Sequence, residues 1–233
     1  FINVDYWTAL HEGYVQVGSD DLWARFGRQE FSLLDGRLLW PAKWHPAGRA
    51  FDGAKFHSDL YNGYVELATI VLSDEGAYQD ECQDSTPENE QDDCADFQPI
   101  THKSFGDFFI LVNAKTSVGS QVSLMPYYIL LDQNPNATDV NRDRLIHSPG
   151  LRVEGSNKDT FNYSMDAVYQ FGRASKEQSH HAWMVATSID YSIQNNTFSL
   201  WYEENTGDGD KEDGVDENFE PFWGKFHGHR GYG

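Results

Sequence analysis

Strict alternation of side-chain character constrains this 233-residue chain more than any other feature. Between Tyr163 and Gly172, ring and aliphatic side chains occupy one parity, while Ser, Asp, Gln and Gly occupy most of the other. The stretch from Trp183 to Ile193 repeats this pattern. Because successive residues of a β-strand point to opposite faces, a period of two predicts strands, and helical periodicity is scarce.

The same pattern predicts about ten strands in all. In chain order, they cover residues 5–17, 21–31, 49–58, 61–73, 108–116, 121–132, 147–156, 163–172, 183–193 and 196–205. Short polar turns such as Gly18–Asp21 alternate with long acidic connections over 74–103, 133–146 and 206–221. Short turns at one end and long loops at the other are typical of outer-membrane barrels.

The two faces of these strands distinguish a membrane barrel from a soluble β-sandwich. A sandwich buries its apolar face and exposes a charged one. In this chain the polar face is mostly small, and the apolar face is rich in rings, as expected when rings face lipid and small polar groups face a lumen. We therefore predict an all-β fold, a single antiparallel transmembrane β-barrel over residues 1–233. It would be integral to the bacterial outer membrane, in contact with lipid and lipopolysaccharide.

Composition excludes some partners. With 17 Lys and Arg against 37 Asp and Glu, the net charge is −20, which disfavours nucleic acid because phosphate binding requires clustered cations. The two cysteines, Cys82 and Cys94, lie in a polar acidic loop without a zinc-like pattern. A disulfide between them is predicted and would contribute ~3 kcal/mol through loop closure. The alternative is a pair of free thiols.

The first cations of the chain form a cluster. Its arginines are Arg25, Arg28, Arg37 and Arg49, and Lys55 follows. A guanidinium facing lipid would cost ~2–4 kcal/mol near the bilayer midplane, so these groups must point inward or lie at a rim. In a lumen they would form an anion-attracting ladder, because guanidinium donors match carboxylates. The alternative is a set of structural ion pairs with acids such as Asp52 and Glu30.

A series of motifs carries a family resemblance. The motifs are Phe26-Gly-Arg-Gln-Glu30, Gly36-Arg-Leu38, Trp40, Gly48-Arg-Ala-Phe-Asp-Gly53, Leu151-Arg-Val-Glu-Gly155, the strand from Tyr163 to Gly172, and Trp201 to Asp208 followed by Phe219 and Phe222. In this order they resemble the signature of the alginate-export family of bacterial outer-membrane barrels. The resemblance covers most of the chain and departs from the family pattern at Asp166, where the family has Glu.

The resemblance implies an electropositive pore that passes an anionic polysaccharide, or a similar anionic solute, without covalent chemistry. The lumen residues that it implies are the cations Arg25, Arg28, Arg49 and Arg152, the carboxylates Asp52, Glu154 and Asp166, and also Lys55 and Gln170. Arg28 shares the parity of Phe26, so a bulge at Gly27 would be needed to turn it inward. The family barrel has about eighteen strands, more than this chain supplies at ~20 residues per strand and connection. An incomplete barrel is therefore predicted, which could belong to an oligomer or a larger envelope complex.

Two other functions are compatible with the pattern. A secreted β-sandwich could bind carbohydrate through its rings or mediate calcium-dependent adhesion through its acidic loops. Weak calcium candidates are Asp132, Asp139, Asp208 and Asp210, although their spacing does not fit an EF-hand loop. A glycoside hydrolase would need two opposed carboxylates, and no pair of acids stands out. We therefore expect a channel with no enzymatic activity and no firm cofactor.

Overall fold

A computed structural model describes residues 10–43, 48–72, 107–133, 143–157 and 160–225. They form one sheet in which ten antiparallel strands are neighbours in chain order, and a short eleventh strand pairs in parallel with the ninth. The strands are β1 (Gly13–Gly18), β2 (Leu22–Gln29), β3 (Phe51–Leu60), β4 (Gly63–Val71), β5 (Phe108–Val118), β6 (Val122–Gln133), β7 (Arg144–Asn157), β8 (Phe161–Arg173), β9 (Ser179–Ile193), β10 (Asn196–Asn205) and β11 (Val215–Asp216). No membrane-spanning helix occurs in this described part of the chain.

The fold confirms the predicted antiparallel all-β class. Each long strand pairs with the next one along the chain, as in the up-and-down arrangement of a barrel wall. β1 and β10 each pair on one side only within the described residues, so the sheet is open, consistent with an incomplete barrel. The two-sheet sandwich considered above does not occur among these residues.

The alternation of faces is also confirmed. Tyr169 is 48 % exposed and Ile189 is 41 % exposed, whereas Asp166 and Gln170 are buried on the opposite face. We call the face with Tyr169 and Ile189 the outer face and the face with Asp166 and Gln170 the inner face. Exposed rings and aliphatic groups on the outer face suit contact with lipid.

The two ends of the sheet differ in the lengths of their connections. At one end, which we call the turn end, the strands are joined by residues 19–21, 61–62, 119–121, 158–160 and 194–195. At the other, the loop end, the connections span 30–50, 72–107, 134–143 and 174–178, and the segment after β10 leaves from this end as well. This asymmetry is the one that the sequence predicts.

The inner face is more apolar than the sequence analysis suggested. Two segments, residues 31–40 and 219–224, lie against it; we call them the inner cover. Their side chains pack with inward-facing strand residues into one buried cluster that includes Leu39, Ile70, Phe109 and Ile129. The prediction that small polar groups dominate the inner face therefore needs correction for its loop half, because chain rather than water covers that half.

Candidate functional site on the inner face

The inner cover is one unit built from two distant segments. Leu39 and Trp223 form a parallel β-bridge, and the Trp40 amide donates to the Trp223 carbonyl at 3.0 Å. Leu34 and Phe222 adopt positive φ angles of 51° and 49°, which non-glycine residues hold only when the surrounding structure fixes them. Burial of the large apolar side chains of the cover, at ~1.5–3 kcal/mol each, can supply that support.

Arg152 joins the cover to the strands. Its guanidinium donates to Asp35 of the cover at 2.7 Å and to Glu154 on its own strand at 2.7 Å. Asp166, directly opposite Arg152 on β8, lies 3.8 Å away. Of the carboxylates that the resemblance implies for the lumen, Glu154 and Asp166 thus lie beside Arg152, and the carboxylate of the cover is added to them. The charge of a cation surrounded by carboxylates in this way is largely balanced, so little of it is left to attract a solute.

Asp166 has a second partner that the sequence did not indicate. Gly150 has no side chain, so the ring of Tyr127 crosses β7, and a Cβ atom at Gly150 would lie 2.1 Å from that ring. The Tyr127 hydroxyl donates to the Asp166 carboxylate at 2.8 Å. Arg37 of the cover pairs in the same region with Asp35 and with Glu203 on β10. In the sequence, only Gly150, on the strand between β6 and β8, could have signalled this crossing.

Lys55 is on the inner face but is neutralised there. Its Nζ atom lies 2.9 Å from Glu66 on the neighbouring strand, and the same carboxylate contacts the His57 ring at 3.1 Å. The Asn113 amide donates to the other Glu66 oxygen at 3.2 Å. Glu66 was not among the predicted site residues, although its strand and parity follow from the alternation.

Arg25 has a different environment. Its Nε and one terminal nitrogen donate to Gln16 at 3.1 and 2.8 Å. The guanidinium carbon lies 4.2 Å from the Tyr14 ring centroid and 5.1 Å from that of Trp23. Within the described ranges, no carboxylate lies within ion-pair distance of Arg25. Rings and an uncharged amide therefore orient this guanidinium without neutralising it.

Arg28 and Asp52 pair with each other, but on the outer face. Their side chains lie 3.2 Å apart, opposite each other on β2 and β3 and near the loop end. Gly27 has a φ of 122°, yet it pairs in unbroken register with Gly53, and the bulge that would turn Arg28 inward is not found. The parity shared with Phe26 was the better guide to the side chain's direction.

Arg49 and Gln170 hold the second segment of the cover. Arg49 donates to the carbonyls of Trp223 at 2.7 Å and Trp40 at 3.3 Å, and its burial lowers the pKa of the guanidinium. The Gln170 amide donates to the carbonyl of Glu220 at 2.9 Å and accepts from the Glu220 amide at 2.8 Å. Both predicted site residues thus make structural contacts to the backbone of the cover.

The remaining predicted sites divide into described and undescribed positions. Cys82, Cys94 and Asp139 lie outside the described residues. Asp208 and Asp210 accept backbone N–H groups within their own turn, each at 3.1 Å. Among the residues that the structure describes, including Asp132, no group of three or more His, Cys, Asp or Glu is placed to hold a metal ion.

Comparison with known proteins identifies the family. No curated protein and no solved structure matches the chain. The model of the Alginate export family matches residues 5–233, which is nearly the whole chain. The motifs, the antiparallel wall and the ring-rich outer face agree with this match. The chain therefore belongs to the alginate-export family, a group of outer-membrane β-barrel export channels for polysaccharide.

Proposed function

We propose that this chain forms the wall of an anion-selective export channel and that Arg25 is its principal attracting cation. The observation that carries the proposal is the contrast among the inward cations. Arg152 and Lys55 contact carboxylates at 2.7 and 2.9 Å, whereas Arg25 contacts only uncharged groups among the described residues. A charged guanidinium whose N–H donors are not all hydrogen-bonded can bind carboxylates on a passing saccharide.

The arrangement around Arg25 also supports a fixed position for the charge. Tyr14 and Trp23 flank the guanidinium, and Gln16 takes two of its five N–H donors. The other donors remain for a solute, and the side chain loses little additional conformational freedom when an anion binds. The anionic polysaccharide as solute is part of this proposal.

We further propose that residues 1–233 belong to a single barrel domain with more strands than the described ones. The open edges of β1 and β10 support this, because a sheet edge cannot face lipid with unpaired backbone groups. The same proposal includes a chain without enzymatic activity, contact with lipopolysaccharide, assembly into an oligomer, and a Cys82–Cys94 disulfide.

Ion selectivity in a planar bilayer tests the channel proposal. Under a salt gradient, the native protein should pass chloride in preference to potassium, and R25Q should lower this permeability ratio by about twofold or more. The matched control is R28Q, which removes the same charge from the outer face of the same strand and should leave the ratio unchanged. Equal ratios for the native protein and R25Q would contradict the role of Arg25, and failure of the native protein to form channels would contradict the proposal as a whole.

A further inference from the structure

A cavity of about 440 Å³ opens on the inner face near the turn end, beyond Arg152. Ser123, Glu154, Ser164 and Ser188 line it, and they lie directly opposite one another across four successive strands. Asn162 and Asp190, which are paired one row closer to the turn end, are also part of the polar lining.

The hydrogen-bonding groups of this cavity are mostly uncharged and can both donate and accept. The hydroxyls of Ser164 and Ser188 are 2.7 Å apart, and a hydroxyl has one donor and two acceptor positions, so their mutual bond leaves capacity for a third partner. The hydroxyl groups of a sugar have the same dual character. A hydroxyl-rich ligand can therefore exchange donors and acceptors with this surface without leaving unpaired groups.

The charges of the cavity disfavour an anionic ligand. Its cation, Arg152, is already in contact with Asp35 and Glu154 at 2.7 Å. Glu154 and Asp190 add two carboxylates to the lining. A uronate carboxylate would meet like charge here, whereas sugar hydroxyls can donate to both acids.

An aromatic side chain lies next to these polar groups. Trp201 on β10 is directly opposite Ser188 on the inner face, and it is 60 % exposed. The face of an indole ring attracts the weakly positive C–H groups on one side of a pyranose ring. The cavity thus offers an uncharged sugar two kinds of contact: hydrogen bonds to the hydroxyl groups and stacking on the accessible indole ring.

We propose that the cavity, together with Trp201, binds an uncharged pyranose unit of a saccharide. This site is separate from Arg25, which lies on β2, and it does not depend on the proposed anion selectivity. The inner face would then have two kinds of saccharide contact: a cationic one on β2 and an uncharged one across β6 to β10.

Calorimetric titration of the detergent-purified full chain tests the site. Maltotriose, an uncharged trisaccharide, should bind, and trigalacturonate, its anionic counterpart, should not compete for the same site. W201A should weaken maltotriose binding by about tenfold or more, through loss of the ring contact. The double variant S164A/S188A should weaken it too, while heat-modifiable gel migration verifies that each variant is folded.

Two control variants make the result decisive. W183A removes an indole from the outer face of β9 and should leave maltotriose affinity unchanged. R25Q should also leave it unchanged, which separates this site from the proposed anion path. The inference is overturned if the native protein gives no heat with maltotriose, if W201A and W183A bind it equally, or if trigalacturonate displaces it.

Discussion

Strand β5 passes from one environment into another along its inner face. Near the loop end, Phe109 and Leu111 are buried, whereas near the turn end Ser117 lines an open cavity. β6 behaves in the same way, with buried Ile129 at one level and Ser123 at the other. The side chains of one strand can therefore alternate between the outer and the inner face along its whole length. The surroundings of the inner face nevertheless change, from packed protein near the loop end to open space near the turn end.

This comparison shows that the direction of a side chain and its burial are separate properties. Direction follows from the period of two, which is a local property of the backbone. Burial depends on whether another segment reaches that position. The apolar loop half of the inner face is buried because the inner cover lies on it, and the polar turn half is accessible because the cavity there is open.

The largest expected effect comes from detaching the inner cover, which would open the loop half of the inner face as the turn half is open. Leu39 is fully buried in the apolar cluster, and L39D would place a carboxylate there without a partner. We expect a loss of several kcal/mol in the stability of the docked cover and a higher single-channel conductance. The volume-conserving control L39M should cost less than ~1.5 kcal/mol and keep the native conductance. Equal conductance for L39D and L39M would show that the cover does not restrict the channel.

A second test concerns the ion pairs at the boundary between the halves. R152Q would leave Asp166 buried without its cation, and we expect it to lower the free energy of unfolding by ~3–5 kcal/mol. Adding D166N should restore part of that loss, because the uncompensated carboxylate is then removed. Urea unfolding of the refolded protein in detergent measures both effects.

The control for this test is an ion pair that is more exposed than the one around Arg152. Arg173 contacts Asp143 at 2.8 Å on the sheet surface, with 47 % of its side chain exposed. R173Q should cost only ~0–1 kcal/mol. If R152Q and R173Q destabilise equally, Arg152 does not hold the cover to the wall.

The smallest expected effect concerns the ring that crosses β7. G150A would place a methyl group 2.1 Å from the Tyr127 ring, so the ring must move and its hydrogen bond to Asp166 must break. We expect a loss of ~1–3 kcal/mol in unfolding free energy, measured by the same urea titration. Gly207, where an added Cβ atom would have no neighbour within 4 Å, is the matched position, and G207A should be close to neutral. Equal effects of the two substitutions would contradict the crossing geometry.

The sequence predicted the wall well and the interior only in part. The strands and the outward rings of β8 and β9 follow from alternation, which no tertiary contact needs to supply. The cover could not be predicted in this way, because Leu39 and Phe219 lie outside the predicted strands and are buried only through contacts with distant parts of the chain.

The arginines illustrate the same limit. Parity alone predicts that Arg25 points inward and Arg28 outward. The family resemblance instead implied that both are lumen cations, and for Arg28 parity gave the correct direction. Parity could not reveal that Arg152 contacts Asp35, because these two residues are 117 positions apart in the chain. The partners of a buried charge are set by the folded loops, so motifs identify the charged residues but not which of them remain free to meet a solute.

The joining of the two cover segments bears on the order in which the protein folds. Every long strand pairs with its predecessor, so the wall can grow by successive hairpins with small loop-closure costs. The contact between Arg49 and the Trp223 carbonyl spans 174 positions, so closing that loop costs least once most of these hairpins exist. We therefore expect obstruction of the interior to be among the last events of assembly, so that the nascent wall is transiently wider inside than the mature one.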